Sequence, residues 1–180
     1  MKYIRKGNTI VARIDRGEEI VEEVKKIAKA EDIQFGYMNA IAAIDDFCVC
    51  VYSVEEKKFY DHNYEGPYEV VSLGGPINKM NGEPYVHFHL SAASAKGDVV
   101  GGHLKHARVS GTCEMYISLS DIEVGRVYDE ETGLNIFDIK WKAEDMDLKV
   151  YDTTRIHSGE AAYQALKKNK RARPSFLFHK

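Results

Sequence analysis

Residues 82–104 read Gly-Glu-Pro-Tyr-Val-His-Phe-His-Leu-Ser-Ala-Ala-Ser-Ala-Lys-Gly-Asp-Val-Val-Gly-Gly-His-Leu, the pattern of a strand, a turn and a returning strand. At period two, Val86, Phe88 and Leu90 point one way, and Tyr85, His87, His89 and Ser91 point the other. The turn falls at Lys96-Gly97-Asp98, and the chain returns through Val99-Val100-Gly101-Gly102 to His103. Histidines at i and i+2 share a strand face, and the return arm of a hairpin can carry a third imidazole toward them. Three neutral imidazoles that leave one position open are the ligand set of a catalytic-type zinc site. The bland counterpart is a wet strand face with surface or hydrogen-bonded histidines. The third histidine, beside a Gly-Gly and at hairpin distance, is what favours a metal.

Upstream of this stretch, Thr9 to Asp15 alternates as a strand, with a short one at Tyr3-Ile4 before it. Gly17 opens an amphipathic helix from Glu18 to about Ala30. Ile20, Val24, Ile27 and Ala28 form its apolar stripe, with acidic side chains in the first turns and lysines in the last, as the helix dipole favours. From Gln34 the pattern is almost all β. Phe35 to Ile44 and Phe47 to Val54 are apolar runs broken at Asp45-Asp46. Lys57 to Asn63 and Tyr68 to Leu73 are the next two strands. Residues 77–84 form a loop with an Asn-Gly turn signal. Downstream come Arg108 to Leu119, Glu123 to Tyr128 and Leu134 to Ile139. One helix among many strands predicts an α+β domain, a largely antiparallel sheet with one main flanking helix after the first strand.

The chain of 180 residues, 44% hydrophobic and 29% charged, suits one ordinary globular domain with an appendage. No run approaches the roughly 18 apolar residues of a membrane helix. The opening Met-Lys-Tyr-Ile-Arg-Lys-Gly-Asn has no apolar signal core, so a cytoplasmic protein without membrane contact is expected. Three cysteines, an odd count with no Cys-x-x-Cys, fit reduced and buried thiols; a Cys48-x-Cys50 ligand pair is the alternative.

The net charge of −3 divides unevenly. Residues 1–139 hold 15 Lys and Arg against 23 Asp and Glu; residues 140–180 hold 10 against 5. An acidic body is poor material for gripping phosphates, which dominate non-specific DNA affinity. We therefore divide the chain into a domain over 1–139 and a basic extension over 140–180. In the extension, 148–151 reads as a strand and 158–168 as a short helix. The basic run at 167–174 is a solvated tail or, in a functional reading, a minor-groove arm using Lys170, Arg171 and Arg173.

Several features resemble the PPC (plants and prokaryotes conserved) domain, known from plant AT-hook proteins and as single-domain prokaryotic proteins. They are Arg13-Ile14-Asp15-Arg16-Gly17-Glu18, the small-residue segment 36–44, Tyr68-Glu69-Val70-Val71-Ser72-Leu73-Gly74-Gly75, and the 84–104 hairpin ending Val-Val-Gly-Gly-His-Leu. The resemblance implies a homotrimer with a fold similar to acetolactate decarboxylase, and a zinc ion held by His87, His89 and His103. The AT-hook core Arg-Gly-Arg-Pro of the plant proteins is not matched. Arg171-Ala172-Arg173-Pro174 carries alanine where the glycine belongs, and that methyl would press on the groove floor.

Two functions follow as expectations. One is a trimeric, metal-containing, DNA-binding or regulatory protein. The other is a zinc-dependent enzyme, a lyase or hydrolase, acting on a small carbonyl or carboxylate compound. The second needs a general acid or base, for which Glu114 and Glu83 are candidates, with Arg13 to hold a substrate carboxylate. His62 and His106 are spare, and a Cys113-Glu114 nucleophile pair lacks a neighbouring histidine.

Overall fold

Alternation carries the chain into strands at once. In this computed structural model, which describes residues 1–139, β1 (Lys2–Lys6) and β2 (Thr9–Ile14) pair antiparallel, and β2 turns Ile10, Ala12 and Ile14 inward. Helix α1 (Ile20–Ala30) follows, with Glu19 as its N-cap. The Glu19 carboxylate accepts from the backbone amides of Val21 at 3.0 Å and Glu22 at 2.7 Å. It also accepts from the Ala107 amide at 2.9 Å, so the cap pins the helix start to the sheet as well as satisfying its orphan donors. The expected stripe of Ile20, Val24, Ile27 and Ala28 is buried, joined by Val21.

Three long strands form the body. β3 (Phe35–Ser53) runs antiparallel to both β4 (Lys58–Met80) and β7 (Val99–Ser120). On the other edge of β4 lie β5 (Glu83–Val86) and then β6 (His89–Ser94), and β6 also pairs with β7. The ring β3–β4–β6–β7 is thus closed on itself. β2 extends the far part of β7 through Ile14↔Cys113 to Thr9↔Ser118, and α1 packs against β7 and β5 across the remaining opening. Inside lie Met38 and Ile44 of β3, Leu73 and Ile77 of β4, Phe88, and Ile117 of β7, all at most 2% exposed. β8 (Gly125–Asp129) and β9 (Leu134–Asp138) form a separate two-stranded ribbon.

This corrects the expected helix-flanked α+β sheet. Among the described residues 69% lie in strands and 8% are helical, around a closed β-barrel core. Asp45-Asp46 does not break the strand, nor does Tyr64 to Pro67. At both places the ladder continues, with register shifts between Ala40 and Ala42 and between Ile44 and Asp46. Such irregularities bend a strand and raise its twist, and they let 19- and 23-residue strands curl far enough to close. The 77–84 loop is likewise a tight β4–β5 hairpin, with Asn81 at φ 53° and Gly82 at φ 83°, the paired positive values a type I′ turn needs. Among the described residues no helix is long and apolar enough to cross a membrane. The strand and helix expected in 140–180, and the basic run with Lys170, Arg171 and Arg173, lie outside the described residues.

Candidate metal centre

Sheet register assembles the centre. His89 on β6 and His103 on β7 are direct cross-strand partners, and His87 stands two residues before His89 on the same face. Phe88, Leu90 and Leu104 between them point into the core, so the three imidazoles stand on the barrel's outer wall. Their ring centroids lie 4.8 Å (His87 to His103), 5.3 Å (His87 to His89) and 5.6 Å (His89 to His103) apart.

Two close backbone approaches make this possible. β5 and β6 are one extended run that pauses at His87-Phe88, opposite Gly75-Pro76. There the His87 amide donates to the Pro76 carbonyl at 3.1 Å. A Cβ on Gly75, whose φ is 155°, would lie 1.9 Å from the His87 carbonyl oxygen. On the other side, a Cβ on Gly102 would lie 2.7 Å from the Cys50 carbonyl oxygen, so the glycine before His103 lets β7 press on β3.

The donor set fits a metal. The three candidate ligand nitrogens all lie within 4.8 Å of one another, and the Nε2 atoms of His87 and His89 are 3.3 Å apart. Nitrogens bound at roughly 2.0–2.1 Å to one tetrahedral zinc lie about 3.3–3.4 Å apart. Protonation also suits ligation. Burial foremost, then the neighbouring His87, His89 and Lys105 charges, push the His103 pKa down to about 4. Burial, the Arg126 charge and His89 lower that of His87. Neutral imidazole is the form that binds metal. The rim is aromatic: Phe59 lies 5.5 Å from the His103 ring and 4.6 Å from Tyr52.

The other sequence candidates lie elsewhere. Arg13 and Glu114 are register partners on the outer face of β2 and β7, and the Arg13 Nε is held by Asp15 at 2.8 Å. Together they line a shallow outer cavity of about 310 Å³. Glu114 is eleven residues beyond His103, a path of roughly 36 Å along an extended strand. Glu83 is exposed at the start of β5, with its carboxylate 3.8 Å from the Lys29 ammonium. His106 faces Asp46 at 3.4 Å, and His62 pairs with Val49; neither joins the cluster. Cys48, Cys50 and Cys113 are free and buried. Burial pushes the Cys113 thiol up to about 12, which removes it as a nucleophile.

Sequence reasoning missed Arg126. Its guanidinium lies between the Tyr85 ring at 4.6 Å and the Phe137 ring at 4.5 Å. Its Nε donates to Asn78 Oδ1 at 3.1 Å, and its Nη1 to the Asn135 carbonyl at 2.8 Å. The one available signal was a lone cation in the acidic stretch 121–131.

A closed antiparallel barrel with one capping helix and an imidazole triad on its wall is the class that fold and site define. The Plants and Prokaryotes Conserved (PCC) domain profile matches residues 1–120, and the chain belongs to that family. Among solved structures, a candidate DNA-binding protein of Bacteroides thetaiotaomicron is similar, with 28% identity and a TM-score of 0.74. The alignment covers 76% of this chain and 96% of that one. A metal-containing protein of Archaeoglobus fulgidus has 28% identity and a TM-score of 0.68, covering 76% of this chain and 99% of that one. A plant- and prokaryote-conserved (PPC) protein of Pyrococcus horikoshii has 28% identity and a TM-score of 0.69, covering 76% and 94%. Among curated proteins, no significant match is found.

Proposed function

We propose that this chain is a homotrimeric zinc protein whose His87, His89 and His103 hold the ion with one position left for a small carbonyl or carboxylate compound. The observation that carries this reading is the 3.3 Å spacing of the His87 and His89 Nε2 atoms, beside a His103 that register sets opposite His89. The metal-containing relative from Archaeoglobus supports it. Bound zinc would polarise a carbonyl or lower the pKa of a bound water. The chain's own part is to favour neutral His87 and His103 by burying them, to set His89 opposite His103 on two hydrogen-bonded strands, and to line the approach with Phe59. Residues 140–180 are a basic extension of this domain.

Elemental analysis of purified untagged protein tests the reading. About one zinc per chain, lost in the His87→Ala/His89→Ala variant, is the expected result; wild type without metal overturns it.

A second reading, DNA binding, has the name of the Bacteroides relative in its favour. The 15 cations against 23 acids of residues 1–139 oppose it. A fluorescent duplex mixed with the full chain at low salt decides: unchanged anisotropy removes DNA as a partner.

A further inference from the structure

The guanidinium of Arg126 leaves one donor unused. Nη2 is closed to solvent and has no hydrogen-bond partner among the described residues, while Nε and Nη1 are both satisfied. A buried donor on a charged group without an acceptor is costly, and each such group calls for an explanation. Burial already lowers the Arg126 pKa, and no carboxylate among the described residues forms an ion pair with it.

Its position gives the explanation. Asn78 is 0% exposed, and its Nδ2 donates to the Val124 carbonyl at 2.8 Å, which fixes the start of the β8–β9 ribbon against β4. Asn78 is the register partner of Tyr85, the ring that Arg126 covers. Tyr85 stands two residues before His87, so the guanidinium over the Tyr85 ring lies beside the segment that leads into His87. Two cations bear on the imidazoles through their charge. Lys105 is paired with Asp61 at 2.7 Å, whereas Arg126 has no such partner among the described residues.

We propose that Arg126 is the anion-binding residue of the three-histidine site, receiving through Nη2 the carboxylate of a small organic acid whose other oxygen lies at the histidines. This rests on the metal-centre reading for the second half of the ligand, and not for the first. A single guanidinium with one free donor edge suits a monocarboxylate; a phosphate would call for more cations. Because Nη2 is covered, the ligand enters only when a rim side chain gives way. The anion then meets Arg126 out of water, where a charge-assisted hydrogen bond is strongest. Arg126 lies beyond the 1–120 matched by the family profile.

The test is calorimetric titration of the full chain with pyruvate at constant ionic strength, with zinc content measured on the same samples. Wild type is expected to bind, Arg126→Gln to bind roughly ten- to a hundredfold more weakly with its zinc unchanged, and Arg126→Lys to fall between. Titration of metal-stripped protein separates the two ideas. Weaker binding that still depends on Arg126 supports the anion site whatever becomes of the metal. Pyruvate affinity in both variants equal to wild type, or no binding by zinc-loaded wild type at millimolar pyruvate, overturns it. Should Arg126→Gln fail to fold, the lysine variant carries the test, since it keeps the charge and loses the fork.

Discussion

Gly75 shows how one missing methyl shapes the centre. A Cβ there would sit 1.9 Å from the His87 carbonyl oxygen, a backbone atom that cannot rotate away. Gly75→Ala is therefore expected to displace His87, lower the melting temperature and reduce metal content, by analogy with other core overpacking costing about 1–3 kcal/mol or more. A variant with wild-type zinc and melting temperature would show that the strand pause tolerates a side chain. Cys113 makes a second residue-scale prediction. Its thiol pKa is raised from 9.0 to about 12 by burial, with a smaller contribution from the Glu114 charge. In this range the folded chain keeps a proton that the unfolded chain loses. Stability is accordingly full below pH 9 and falls as pH rises toward 12. Cys113→Ala should show a shallower decline over that range in thermal melts, and the wild-type thiol should resist iodoacetamide at pH 8 until the protein is denatured.

Among the elements, the helix start depends on a carboxylate rather than the usual short cap. Glu19 serves two helical amides and, through Ala107, the sheet. Glu19→Ala should cost about 1–2 kcal/mol in urea melts, and Glu19→Gln, which keeps an acceptor, should recover part of it. Equal stability of the alanine variant and wild type would mean that packing of Ile20, Val24 and Ile27 alone holds the helix. Element existence was legible here because period 3.6 and period 2 are local properties. The joins were not. Asp45-Asp46 reads as a break because paired acids favour turns, yet both residues sit in β3, where Arg108 holds Asp45 at 2.9 Å. A side chain 63 positions away supplied what the local sequence lacked.

For the whole molecule, the outer wall of the barrel leaves Val11, Ile41, Val71 and Tyr116 exposed around one shallow depression, with Ile41 and Val71 each 59% accessible. Such a face is where the proposed trimer would bury itself. Light scattering on a sizing column should give three times the chain mass for wild type and a smaller species for Ile41→Asp; a monomeric wild type would remove the trimer.

By itself the sequence determined the helix with its buried stripe, the alternation that aims Phe88 and Leu90 inward, and the His-x-His with a third histidine at hairpin distance. These depend on residues close in the chain, where spacing alone dictates which side chains share a face. Only the tertiary structure decided that the strands run unbroken, that β6 closes them into a barrel, and that Arg13 and Glu114 belong to another face. It alone brought Arg126 over Tyr85, 41 residues away along the chain. Closure and ribbon docking arise from long-range pairing and twist, and no local pattern records which distant strand supplies the missing hydrogen bonds.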